Sequence, residues 1–279
     1  MRESIVCPIC RADRSIPWAT ENGWTAVQCA SCATVYVNPR PVRSEILQSA
    51  QTGMHEAENS YIDTTGSFKF SKVRGFRRRL QEIITPQELD RKSARWLDIG
   101  CGYGELLSAA AKLLPQGAHV EGIEPSLRKR EFALSKGLKV TDAALETFPS
   151  ASLDFVSLMN VFSHLPEPVE FLGQIAHVLR PGGLLIVLTG NGGEVARHEY
   201  PGPLDLPDHL IFVGETGLRS ALEQSGFSVL SIHRLPSFIP ENPALRLLKN
   251  IARFALRRPL VHANKGRFRN LVVKAAVNK

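Results

Sequence analysis

The sequence has no apolar run long enough to cross a bilayer. Its longest runs, such as Gly183–Thr189, fall far short of the roughly 20 residues a spanning helix needs. It opens Met1-Arg2-Glu3-Ser4 with no apolar stretch of the secretory kind, so a cytoplasmic setting is expected. No internal repeat is visible. With 43% hydrophobic and 22% charged residues, 21 Gly and 18 Pro, the chain is neither disordered nor collagen-like. At 279 residues it can bury a sizeable core without disulfides. The longest stretch without acid lies at the C-terminal end. From Pro243 onward there are 10 basic residues and no Asp or Glu, while the rest carries 24 basic and 27 acidic residues. The net charge of +7 therefore belongs to a C-terminal segment. Apolar residues at 245, 248, 251, 252 and 255 alternate there with basic ones at 246, 249, 253 and 257. The pattern predicts an amphipathic basic helix over 244–257, within an insertion spanning 243–269. Its charges can face water, an anionic membrane surface or nucleic acid.

Of 5 cysteines, 4 form two tight pairs, Cys7-Pro-Ile-Cys10 and Cys29-Ala-Ser-Cys32. This spacing reads as a structural Zn2+ site, because four thiolates close a tetrahedron and leave no position open for chemistry. Disulfides are the alternative, and they are disfavoured where no export signal is seen. Val35–Val37 reads as a strand of the same module, ended by Asn38-Pro39-Arg40-Pro41. Trp18 and Trp24, between the pairs, are expected to pack the little core such a module has. The expected organisation is a zinc ribbon over 1–41, a helical linker or lid over 42–93, and a catalytic domain over 94–279. A basic helix is expected within Gly66–Ile84, ended by Pro86.

From Ala94 onward, strand and helix patterns alternate. Strands are expected at Trp96–Ile99, Val120–Ile123, Leu138–Thr141, Leu153–Val161 and Leu184–Leu188. Helices are expected at Glu105–Leu114, Leu127–Lys136, Val169–Leu179 and Thr216–Ser225, with Pro181-Gly182-Gly183 as a turn. That order specifies an α/β fold with a mostly parallel sheet covered on both faces. The sharpest feature is Asp98-Ile99-Gly100-Cys101-Gly102-Tyr103-Gly104, between a strand and a helix. Its glycines permit a tight turn and a close ligand approach. The last glycine of a dinucleotide fingerprint is missing, which disfavours a nicotinamide cofactor. Glu124 follows at the end of the next strand, where an acid can bond both ribose hydroxyls.

This segment resembles motif I of the class I S-adenosylmethionine-dependent methyltransferases. The resemblance runs from about Ala94 to the C-terminus. It implies a Rossmann-like seven-stranded sheet, with Gly226–Leu235 and Asn270–Val277 as strands six and seven and the last antiparallel. It implies cofactor contacts from Asp98, Gly100, Cys101, Gly102, Gly104 and Glu124. Asp142 matches the residue near the adenine amine, and Asn160 and Val161 match the segment lining the methionine end. Leu179-Arg180-Pro181-Gly182-Gly183 is similar to the turn before strand five. The Cys pairs followed by Asn38-Pro39-Arg40-Pro41 resemble a bacterial subgroup with an N-terminal zinc ribbon, which often methylates sugars or other secondary metabolites. A small-molecule acceptor is therefore the first expectation. Some ribosomal RNA methyltransferases also carry a four-ligand zinc module, so RNA is the second. A non-catalytic binding module is the third.

Histidine is the natural base near neutral pH for taking a proton from an acceptor hydroxyl. His164 and His209 are the expected catalytic residues, with Asp208 as a possible orienter of its neighbour His209. His198, Tyr200 and Asp205 lie in a long Gly190–Pro207 loop that reads as a substrate lid.

Overall fold

The computed structural model describes residues 1–57, 60–236, 251 and 267–278. The predicted helix over 244–257 lies almost wholly outside the described residues.

Seven strands form one mixed sheet. In spatial order they are Lys139–Thr141, His119–Ile123, Arg95–Ile99, Leu153–Met159, Leu179–Gly190, Arg269–Val277 and Phe227–Pro236. The first five are parallel, and Arg269–Val277 runs antiparallel to both its neighbours. This is the sheet the resemblance implies. The central strands read as near-continuous apolar runs because helices cover both faces. Phe155, Val156, Leu185 and Ile186 are fully buried. Trp96 stacks on Phe155 with ring centroids 4.8 Å apart, and its indole N–H donates to Ser157 at 2.9 Å. Helix Pro168–Val178 starts on a proline whose missing N–H costs nothing there. Leu172, Ile175 and Val178 recur every third residue and face the core. Two expectations shift. Pro181-Gly182-Gly183 is not a free turn but lies within the strand Leu179–Gly190, across a register break against Leu153 and Phe155. The helix from Glu105 stops at Ala110, short of Leu114.

The N-terminal module is a second sheet of Ser15–Glu21, Trp24–Cys29 and Val35–Val37, completed by Ile211–Phe212 from the far end of the chain. Its core is not separate. Cys7, Ile9, Val27, Cys29 and Tyr36 pack in the same cluster as Leu97, Val156, Leu210 and Leu218. Arg40 ties the N-terminal segment to the start of helix Pro168–Val178, bonding Glu3 at 2.8 Å and Glu167 at 2.7 Å. The segment expected to be a helical linker holds helices Arg43–Thr52 and Phe70–Ile83. It also holds a hairpin, Met54–Ala57 paired with Ser60–Asp63. The Gly190–Pro207 loop, read as a lid, is pinned instead. Glu21 accepts the N–H groups of Leu204 and Asp205, and Leu204 and Leu206 are buried beside Trp24 and Val35.

Candidate active site

The loop after strand Arg95–Ile99 turns with positive φ at Gly100, Gly102 and Gly104. A side chain at Gly100 has no room, because a Cβ would sit 2.5 Å from Val161 Cγ2. At Gly102 a Cβ would meet nothing within 4 Å, so this part of the turn is open to a ligand. Glu124 straps the loop. Its carboxylate is 4% exposed and accepts from Gly102 N–H at 2.7 Å and Ser126 N–H at 3.0 Å. Each oxygen keeps a lone pair for a hydroxyl donor. Gly100, Glu124, Asn160, Val161 and His164 share one cavity of about 500 Å³. Helix Arg43–Thr52 and the following hairpin contribute Ser49, Thr52 and His55 to its walls. Lys129 is its one cationic lining residue among the described residues.

Other expected cofactor residues act at a remove. Asp98 is 1% exposed and accepts from Ser157 Oγ at 2.6 Å. Burial raises its pKa to about 8, against the lowering effect of the Ser157 bond and with the Glu124 and Glu105 charges adding to the rise. It braces the loop from within the core. Cys101 is buried against Gly122, and burial pushes its thiol up, so it is inert. Gly104 packs on Leu138. Asp142 is 65% exposed, pairs with Arg130 at 2.9 Å and does not line the cavity.

The histidines are arranged differently from the sequence expectation. Asp208 does not turn to its neighbour His209. Its carboxylate lies 3.0 Å from His164 Nδ1 and 3.0 Å from His55 Nε2, and its carbonyl is 2.8 Å from His164 Nδ1. Asp208 lies in a turn, and one nitrogen of His164, one of His209 and an Asp208 carboxylate oxygen all gather within 4.8 Å of one another. Burial raises the Asp208 pKa, but bonds from His164 and His55 outweigh it and hold the carboxyl well below its ordinary range. For His164, burial pulls downward and Asp208 overcomes it, leaving the imidazole above its usual value. With Nδ1–H engaged, Nε2 is the acceptor. His209 donates from Nδ1 to Leu204 carbonyl at 2.8 Å, and burial together with nearby His164 pulls its pKa below the usual histidine value. The two imidazoles are 4.8 Å apart. His209 faces a second, smaller cavity that shares Asn160 with the first. Tyr200 lines that second cavity, whereas exposed His198 lines neither. His55 escaped the sequence reading because nothing local marks it; only the fold brings it to Asp208.

The four paired cysteines fit a metal. Their sulfurs all lie within 4.8 Å of one another, and Cys7–Cys32 and Cys10–Cys29 are each 3.5 Å apart. A zinc–sulfur bond of about 2.3 Å gives tetrahedral edges of about 3.8 Å. A disulfide needs about 2.05 Å, so the thiols stand at metal and not disulfide spacing. Sharing one hydrogen bond raises Cys7 and lowers Cys32 to about 4, as expected where thiols gather for a cation.

The model of the methyltransferase-domain family matches residues 71–232, more than half of the chain. The chain belongs to this family. The chain is 38% identical over 108 residues to a ubiquinone biosynthesis O-methyltransferase from Xylella fastidiosa, covering 35% of this chain and 42% of that protein. It is 29% identical over 201 residues to a tRNA U34 carboxymethyltransferase from Cellvibrio japonicus, covering 58% and 60%. The chain thus spans about half the length of these relatives. Among solved structures, an S-adenosylmethionine-dependent methyltransferase from Archaeoglobus fulgidus shares the fold with a TM-score of 0.52 at 20% identity, covering 73% of this chain and 94% of that one. The [4+2]-cyclase SpnF shares it with a TM-score of 0.54 at 20% identity, covering 78% and 84%. No helix among the described residues is long and apolar enough to cross a membrane.

Proposed function

We propose that this chain uses S-adenosylmethionine to methylate a hydroxyl of a small molecule, a sugar or a related metabolite. The observation that carries the reading is one cavity lined by Gly100 of the glycine loop, Glu124, Asn160 and an Asp208-oriented histidine. When bound, S-adenosylmethionine supplies an electrophilic methyl on a sulfonium. Glu124 accepts from the ribose hydroxyls with its spare lone pairs. Gly100, Gly102 and Val161 shape the turn around the cofactor, and Asn160 closes its methionine end. His164 Nε2 takes the acceptor proton, and the Asp208 carboxylate stabilises the imidazolium that results. His209, held by Leu204, contacts the acceptor from the other side of Asn160. The Cys7, Cys10, Cys29 and Cys32 thiolates hold a structural Zn2+. That site is closed and takes no part in the chemistry.

The test is transfer from methyl-labelled S-adenosylmethionine into an extract of cells lacking this protein, fractionated into RNA, protein, lipid and low-mass material. Label in the low-mass or glycan fraction is the expected result. Glu124→Ala should weaken cofactor binding by about tenfold or more, the cost of losing charge-assisted hydrogen bonds. Unchanged affinity in titration calorimetry would remove Glu124 from the site. A second reading, RNA methylation, draws on the tRNA-modifying relative, whose match covers more of this chain than the ubiquinone one, and on the basic C-terminal sequence. RNase-sensitive label, with binding that falls steeply with salt, would establish it in place of the first.

A further inference from the structure

Beside the cofactor cavity lies a second one of about 290 Å³ at the C-terminal ends of two sheet strands. Its polar lining is unusual in one respect. The side chains of Asn160, Ser163, Thr189 and Asn270 all face it, and none has a hydrogen-bond partner among the described residues. Thr189 is buried, Ser163 and Asn270 are half-buried and Asn160 is exposed, so these groups are left to bond what occupies the space. No Asp, Glu, Lys or Arg lines the cavity among the described residues. His209, the one titratable imidazole there, donates from Nδ1 to Leu204 and offers Nε2 as an acceptor.

The rest of the wall is aromatic. Tyr200 meets Phe212 at 5.6 Å and Phe268 at 4.8 Å, both edge to face, and His209 meets Phe212 at 5.8 Å. The rings reach the strand end because Gly190 lets them. A Cβ at Gly190 would sit 2.6 Å from Phe268 Cζ. Rings on one side and free amide and hydroxyl groups on the other suit a ligand with apolar C–H faces and several hydroxyls. A volume at the low end of small-molecule sites admits one ring and not a chain of them.

Resting on the cofactor assignment above, we infer that this second cavity is the acceptor subsite, and that it takes one uncharged polyhydroxylated ring. The ring lies with a C–H face on the Tyr200–Phe212–Phe268 wall. Its hydroxyls bond Ser163, Thr189 and Asn270. The hydroxyl to be methylated points to Asn160, which lines both cavities and stands between them. A phosphate or carboxylate on the bound ring would meet no countercharge among the described residues, so such rings are disfavoured. A planar phenol would leave most of the polar groups unpaired, which also costs affinity.

The experiment is saturation-transfer NMR on the full chain with saturating S-adenosylhomocysteine. The probes are methyl α-glucopyranoside, methyl α-rhamnopyranoside, glucuronate, glucose 6-phosphate and catechol. Saturation of at least one neutral glycoside, with none of the two charged sugars or catechol, is the expected result. Thr189→Val and Asn270→Leu should each weaken that glycoside about tenfold, the value of one lost hydrogen bond to a partner that stays buried. S-adenosylhomocysteine affinity, measured separately by calorimetry, should stay within about twofold, which also shows that the variants fold. Catechol or the charged sugars binding as well as the neutral glycosides, no neutral glycoside binding at all, or variants that change nothing would each overturn the acceptor assignment while leaving the methyltransferase reading intact. Failure of the wild-type chain to bind S-adenosylhomocysteine would instead sink the cofactor assignment and this inference with it.

Discussion

Asp208 shows how much one carboxylate decides here. It holds His164 and, from the hairpin strand Met54–Ala57, His55, 3.0 Å from each. His55 also lies 3.4 Å from Thr64 Oγ1, while His209 and Lys129 are the other titratable groups near His164. Because Asp208 raises the His164 pKa, the base becomes neutral only above the ordinary histidine value of about 6.5. The acid limb of the kcat profile should therefore lie above that value. Asp208→Asn removes the charge, so the limb should move to lower pH and kcat should fall by about 10²-fold or more as the imidazolium loses its partner. A profile that keeps its limb would show that His164 is not the base. The His164 contribution to stability runs the opposite way with pH. The raised His164 pKa contributes stability fully present below the unfolded value and lost as pH rises through the folded one. Asp208, with its pKa depressed, contributes above its unfolded value near 3.9 and loses that contribution as pH falls toward its folded one.

At the scale of elements, the cofactor turn depends on contact between two loops. Gly100 has φ +67° and touches Val161, which follows the strand Leu153–Met159 on the next position of the sheet. Gly100→Ala combines a disfavoured φ with a 2.5 Å clash against Val161. It should cost about 1–3 kcal/mol of stability and weaken cofactor binding more than it weakens folding. Thermal melts with and without S-adenosylhomocysteine check this: the ligand-induced rise in Tm should shrink or vanish in the variant. The strand–turn–helix order around this loop is legible from residues a few positions apart, and so are the glycine signature and Glu124. The hairpin Met54–Ala57 and Ser60–Asp63 is not. Its segment is polar with weak helical periodicity, and a short hairpin gains its stability from what it packs on. Trp24 supports it by donating its indole N–H to the Glu56 carbonyl at 3.1 Å.

At the scale of the whole molecule, the cysteine module and the methyltransferase domain share one core and one strand pairing. Ile211–Phe212 adds to the edge of Val35–Val37, immediately after His209 and Leu210. Loss of metal from the four cysteines should therefore reach the acceptor side of the site. Removal of zinc by a chelator, or Cys29→Ser, should lower Tm by roughly 10 °C or more, since a structural zinc contributes several kcal/mol and each shifts Tm by about 2–4 °C in a chain of this size. The melt should remain a single transition. A separate early transition would show the module to be an independent unit.

The sequence by itself determined the alternating α/β order, the glycine turn with its acid, and the metal spacing of the four cysteines. Each is written in residues close along the chain, where backbone preference and ligand spacing act directly. Only the tertiary structure decided that Asp208 serves His164 and His55 and not His209. It also pinned the long loop to the cysteine module through Glu21, and it gathered Asn160, Thr189, Tyr200 and Asn270 around a cavity with no Asp, Glu, Lys or Arg among the described residues that line it. Those residues are far apart in the chain. Their meeting depends on strand order and on how two sheets share a core, which no local pattern encodes.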